Sequence, residues 1–149
     1  MMGHAVLSPS AAGRWLACTP SARLEERFPD NAGDYAKEGT LAHSFGETFL
    51  LGLILGENVS GRLEALREDE FYSIELEDYA DGYAAFVWEE FCRIRKDTPD
   101  AILRIEEKID LTAYVPEGFG TGDAVIIADG TLTVIDLKYG KGVKVSAVE

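Results

Sequence analysis

The sequence predicts an α+β protein in which helices come first and a mostly antiparallel mixed sheet follows. Three observations carry this. Apolar residues recur at helical spacing up to Pro99. Beyond Pro99 the pattern changes to strand-like alternation. Asp129-Gly130 then separates two apolar runs, which is a strong signal for a two-residue hairpin turn.

Taken in order, Ser8-Pro9 sets a helix start, with Ser as the cap and Pro in the first turn, and a short helix is expected to about Cys18. Thr19-Pro20 repeats the signal for a second short helix to about Arg27. Pro29, Asp30, Asn31 and Gly33 break the chain. Asp34 can cap a long helix to roughly Leu55, with Leu41, Phe45, Phe49 and Leu53 as its core stripe. Gly56 to Gly61 reads as a break. A second long helix is expected from about Leu76 to Lys96, with Tyr79, Tyr83, Phe86, Val87, Glu90 and Ile94 near its buried side. Cys92 on it is expected to be buried.

Ala101 to Leu111 alternates as a strand, with Ile102, Arg104, Glu106 and Lys108 on one side and Leu103, Ile105, Glu107 and Ile109 on the other. Glu106 and Glu107 thus face opposite ways, and neither is assigned to a site. A last strand-like stretch, Val143 to Val148, has no element after it to cover the sheet. A C-terminal truncation is therefore expected, with the missing helices, or a partner protein, covering the open face.

At 149 residues and 46% hydrophobic, one domain spanning residues 1–149 with its own core is expected. The Phe49 to Leu55 run is too short for a bilayer, and Met1 to Ser10 has no basic segment leading into an apolar one. Two separated cysteines, Cys18 and Cys92, make neither a disulfide framework nor a zinc pattern, so a cytoplasmic location is expected. The formal charge is −13, from 27 acidic against 14 basic residues. That balance opposes nonspecific phosphate binding, but the acids gather between Glu64 and Glu90. Past Leu137, Lys138, Lys141 and Lys144 meet only Glu149.

A turn at Asp129-Gly130 sets a register of Ile127 with Leu132, Val125 with Val134 and Asp123 with Asp136. Lys138 shares their face. Two carboxylates opposed across a hairpin repel each other and require a proton, a lysine or a metal ion between them. Clustered oxygen ligands suit Mg²⁺ or Mn²⁺, and a lysine beside them suits metal-assisted phosphodiester hydrolysis. The alternative is an ordinary ion pair of Asp136 with Lys138 at a strand end, with Asp123 closing the preceding loop.

Gly122-Asp123 followed by Ile135-Asp136-Leu137-Lys138 resembles the PD-(D/E)XK nucleases, with Gly in place of Pro. Gly39-Thr40-Leu41-Ala42-His43 resembles the helical G-x-x-x-H motif of the RecB-like branch. Leu7 to Ala11, Trp15 and Cys18 are also similar to that branch. Phe119 to Asp123 and Lys138 to Gly142 look like a phage-associated family of uncharacterised proteins assigned to this fold. The resemblance implies an α/β/α-like restriction-endonuclease core. It also implies His43, Asp123, Asp136 and the Leu137 carbonyl as metal ligands, and Asp123, Asp136 and Lys138 as catalytic residues. DNA is the implied partner. Lys141 is the expected phosphate contact, with solvated charge as its alternative. Some relatives hold an iron–sulfur cluster with one N-terminal and three C-terminal cysteines. Cys18 resembles the first, the others do not follow, and no cluster is expected. The Q-x-x-x-Y helix of the branch is also not found in the sequence. A catalytically inactive binding or assembly module on the same fold is the competing reading, and an acidic interaction domain a third.

Overall fold

A computed structural model of the chain describes residues 5–25, 27–28 and 33–140. Its secondary structure is helical up to Asp97 and extended after it, an α+β fold with a three-stranded antiparallel sheet. The chain divides into two compact units, one drawn from Met1–Asn31 and Glu106–Gly122, the other from Ala32–Ile105 and Asp123–Glu149. No helix among the described residues is long and apolar enough to cross a membrane.

In the first unit a 3-10 turn, Pro9–Ala11, leads into α1 (Ala12–Ala17), and α2 is Ser21–Glu25. These helices are too short to hold themselves. Trp15 Nε1 donates to the Ser8 carbonyl at 2.9 Å, and Arg14 pairs with Glu25 at 3.0 Å. Lys108 stands 4.0 Å from the centre of the Phe119 ring.

The second unit is built on α3 (Asp34–Leu55) and α5 (Ile74–Asp97), with α4 (Ser60–Leu66) between them. The bounds of α3 match the expectation, although Gly33 rather than Asp34 occupies the cap position. Its end is a left-handed Gly56 (φ 65°), whose N–H returns to the Gly52 carbonyl. In α5 the Ser73 side chain accepts the Leu76 N–H, with Glu75 and Glu77 in the first turn and Arg95 and Lys96 in the last. Both ends thus match the helix dipole.

Helix α4 falls across the end of the expected break. Asn58 Oδ1 accepts the Ser60 N–H, and Leu63 and Leu66 pack on the core formed by α3 and α5. Tertiary burial therefore makes a helix that propensity would not. Arg67, which caps α4, forks onto Glu77 of α5, with Nε to Oε2 at 3.0 Å, and Tyr72 donates to the same oxygen at 2.8 Å. The Arg67 hydrogen bonds hold the Glu77 carboxyl below its ordinary range, against a smaller opposing effect of burial. A carboxyl depressed in the fold stabilises fully above its unfolded value, and that gain disappears as pH falls through the folded value. Thermal melts of the parent from pH 7 into strong acid are expected to lose stability below about pH 4.5, the ordinary carboxyl value. Glu77→Gln should start less stable at neutral pH and show a smaller acid loss; identical pH profiles would remove Glu77 from the account.

The α3–α5 seam is made by Leu41, Ala42, Phe45 and Leu50 against Leu76, Ala80, Ala84 and Val87. Its small residues let the helix backbones approach, and this sets the rotation of α5. The expected stripe needs correction as a result. Tyr79 and Phe86 are each 53% exposed, and Leu53 is 44% exposed. Cys92 is exposed, not buried. Val87 and a half-buried Tyr83 do lie on the packed side.

The sheet runs β1 (Ile102–Asp110), β2 (Phe119–Ala128) and β3 (Thr131–Ile135) in that order. Asp129 (φ 47°) and Gly130 (φ 70°) both occupy left-handed backbone, the geometry of a primed two-residue turn. The β2–β3 register follows from that turn, with Val125 on Val134 and Ile127 on Leu132, as expected. Ala124, Ile126 and Ile135 face the helices, joined by Leu103 and Ile105 of β1. The opposite face carries Ile127, Leu132 and Val134, each roughly half exposed. The strand expected at Val143 to Val148 lies outside the described residues, as do Lys141 and Lys144.

Candidate metal centre

The candidate centre forms where β2 and the segment after β3 meet α3. The last pair of the β2–β3 ladder is Ala124 with Ile135, so Asp123 and Asp136 stand one step past it in the same register. Their carboxylates part there. Asp123 is 8% exposed, and its Oδ2 accepts the Leu137 N–H at 2.6 Å. Its Oδ1 lies 3.2 Å from Nδ1 of His43 on α3. Asp136 is exposed and its Oδ2 pairs with the Lys138 ammonium at 2.5 Å.

Local sequence explains both arrangements. Beyond Ile135, Leu137 continues the inward positions of the strand and is 3% exposed, in one cluster with Leu41, Ala42, Phe45, Leu76 and Ala80. Burying Leu137 brings its N–H under Asp123. Its neighbours Asp136 and Lys138 are thereby turned to solvent, where they pair with each other. On α3, His43 sits between Ala42, fully buried, and Phe45, fully buried. It is half-buried itself, carried to the edge of the core by the helix that buries its neighbours. Gly46, one turn on, leaves space for Tyr83: a Cβ there would meet the Tyr83 ring at 3.1 Å.

His43 and Asp123 thus bring an imidazole nitrogen and a carboxylate oxygen to one point. Glu106 follows Ile105 on β1 and has φ 49°, a left-handed conformation unusual for a side-chain-bearing residue. Glu117 and Asp129 share that conformation among the described non-glycine residues. An imidazole and a carboxylate form a mixed nitrogen–oxygen donor pair suited to a divalent cation. The 3.2 Å between Nδ1 and Oδ1 is close to the edge of an octahedron with bonds of about 2.1 Å, roughly 3.0 Å. The hydrogen bond from Leu137 fixes Oδ2, so Oδ1 is oriented by an outer contact of the sort that tunes metal ligands.

The four side chains expected to act together are thus divided. His43 and Asp123 converge. Asp136 and Lys138 form a separate, exposed pair joined to Asp123 through the Leu137 backbone. The Leu137 residue contributes its N–H to that junction.

Residues 4–149 match the family described as Protein of unknown function (DUF2800), and the chain belongs to that family. No solved structure matches it.

Proposed function

We propose that this family member is a Mg²⁺- or Mn²⁺-dependent deoxyribonuclease. One observation carries the reading: Nδ1 of His43, from a helix remote in sequence, lies 3.2 Å from Oδ1 of the aspartate that opens the D…D-x-K pattern. The pattern and the helical histidine are separate parts of the nuclease resemblance, and their meeting supports both.

A bound divalent ion would supply Lewis acidity toward a phosphoryl oxygen and toward water. His43 and Asp123 are the residues that would hold it. Leu137 keeps the Asp123 carboxylate in place through its N–H. Lys138 presents a positive charge for the scissile phosphate, and Asp136 positions that ammonium. Substrate phosphate would compete for Lys138, drawing it from Asp136 and leaving the Asp136 carboxylate available to the ion.

The decisive assay incubates DNA, single-stranded and duplex, with the protein and Mn²⁺, beside a calorimetric Mn²⁺ titration. Lys138→Ala is expected to lower the cleavage rate about 10²- to 10³-fold while Mn²⁺ affinity stays near the parent value. Uncut DNA of every form, with Mn²⁺ bound, would select the second reading, a nuclease-fold module that binds or assembles without cutting. The charge of −13 and the Asp136–Lys138 pairing favour that reading. Failure of Mn²⁺ to bind at neutral pH and low salt would remove the metal site and the hydrolytic reading with it.

A further inference from the structure

Beside the Asp136–Lys138 pair lies a cleft of about 480 Å³, walled by α5 through Tyr79, Tyr83 and Phe86 and by Ile135 and Leu137. We propose that this cleft stacks an unpaired nucleobase, which makes single-stranded DNA the substrate class of the site; this rests on the nuclease reading above.

The cleft has the components such a subsite needs. Tyr79 and Phe86 each leave 53% of their surface exposed, although both belong to the main helix of the core. Gly82 sits between them, and a Cβ at that position would meet nothing within 4 Å, so the floor is open. Tyr79 is braced edge-on by Tyr139, with ring centres 5.5 Å apart. The Tyr83 hydroxyl reaches toward the Ile135 carbonyl at 3.4 Å. Aromatic faces held in place in this way accept bases of any sequence.

Rim chemistry fits the same occupant. Lys138, with its side chain 67% exposed, offers a cation to the backbone phosphate. Asp78 and Asp136 also line the cleft; carboxylates accept hydrogen bonds from base N–H groups and repel a free anion. Overall charge decides between strand forms. Duplex binding rests on neutralising phosphates, which a protein of charge −13 does poorly. Stacking on aromatic rings supplies affinity without that neutralisation, and only an unpaired strand presents its base faces.

The test is fluorescence anisotropy in EDTA at low salt, so neither cleavage nor metal binding enters. The probes are a labelled thymidine oligonucleotide, an abasic strand of equal length, and a duplex. The parent is expected to bind the thymidine strand tightest, with a shallow salt dependence. Tyr79→Ala and Phe86→Ala should each weaken that binding about 5- to 150-fold while their Mn²⁺ titrations match the parent. Equal affinity for the abasic strand, parent-like binding by both variants, or no binding by the parent would overturn the proposal. So would a dimer in sedimentation that Phe86→Ala dissolves, since a second copy would then fill the cleft. If base-dependent binding holds and Mn²⁺ fails to bind, the hydrolytic reading falls and the cleft stands.

Discussion

Asp123→Ala is expected to abolish Mn²⁺ binding and also to destabilise the fold, whereas Asp123→Asn should abolish or severely weaken binding with little loss of stability. The two variants differ in one hydrogen bond. Asp123 is almost fully buried, and its Oδ2 accepts the N–H of Leu137, itself buried. Alanine leaves that N–H without a partner, which costs about 1–3 kcal/mol, or a few degrees of melting temperature at this size. Asparagine still accepts the bond through its carbonyl oxygen, but it carries no charge for a cation beside His43. Calorimetric titration and scanning calorimetry on the two variants give both readouts. Parent-like Mn²⁺ affinity in Asp123→Asn would show that the cation does not bind at the His43–Asp123 junction.

Phe45→Ala should remove about 3–5 kcal/mol of stability, a large share of the 5–15 kcal/mol typical of a domain. Phe45 is fully buried, with ring centres 6.1 Å from Phe49 and 6.0 Å from Tyr72. It shares a cluster with Leu41, Leu76, Ala80 and Leu137. The cavity left by truncation would lie between α3, which carries His43, and Leu137, which holds Asp123. Mn²⁺ affinity is therefore expected to fall with stability, even though Phe45 touches no ligand atom. Urea unfolding followed by circular dichroism measures the first effect. A midpoint within experimental error of the parent would mean that the α3–α5 seam is not the main core of its unit.

Several features were legible in the sequence because short-range geometry decides them. Helix α3 runs between the breakers Pro29, Asp30, Asn31 and Gly33 and a left-handed Gly56, and its limits follow from them. The β2–β3 register depends on a turn whose two residues sit in left-handed backbone, so Asp129-Gly130 alone sets which residues face each other. Side-chain rotation about α5 was not legible in the same way. Its apolar and aromatic residues occupy more than one face, and helical periodicity cannot choose among them. Ala80 and Ala84 decide the matter by allowing close contact with α3, which leaves Tyr79 and Phe86 at the surface. Helix α4 was missed because its stability comes from Leu63 and Leu66 packing on a remote core.

The candidate centre divides along the same line. Sequence by itself determined the α+β order of elements, the hairpin register, and the placement of Asp123, Asp136 and Lys138 at one end of it. Local backbone chemistry suffices for these. Only the tertiary structure decided that His43 lies at Asp123 and that Asp136 turns to Lys138. Each of these depends on where a buried residue anchors its neighbours: Ala42 and Phe45 for His43, Leu137 for the two aspartates. Such anchoring is a property of the packed core and has no local signature in the chain.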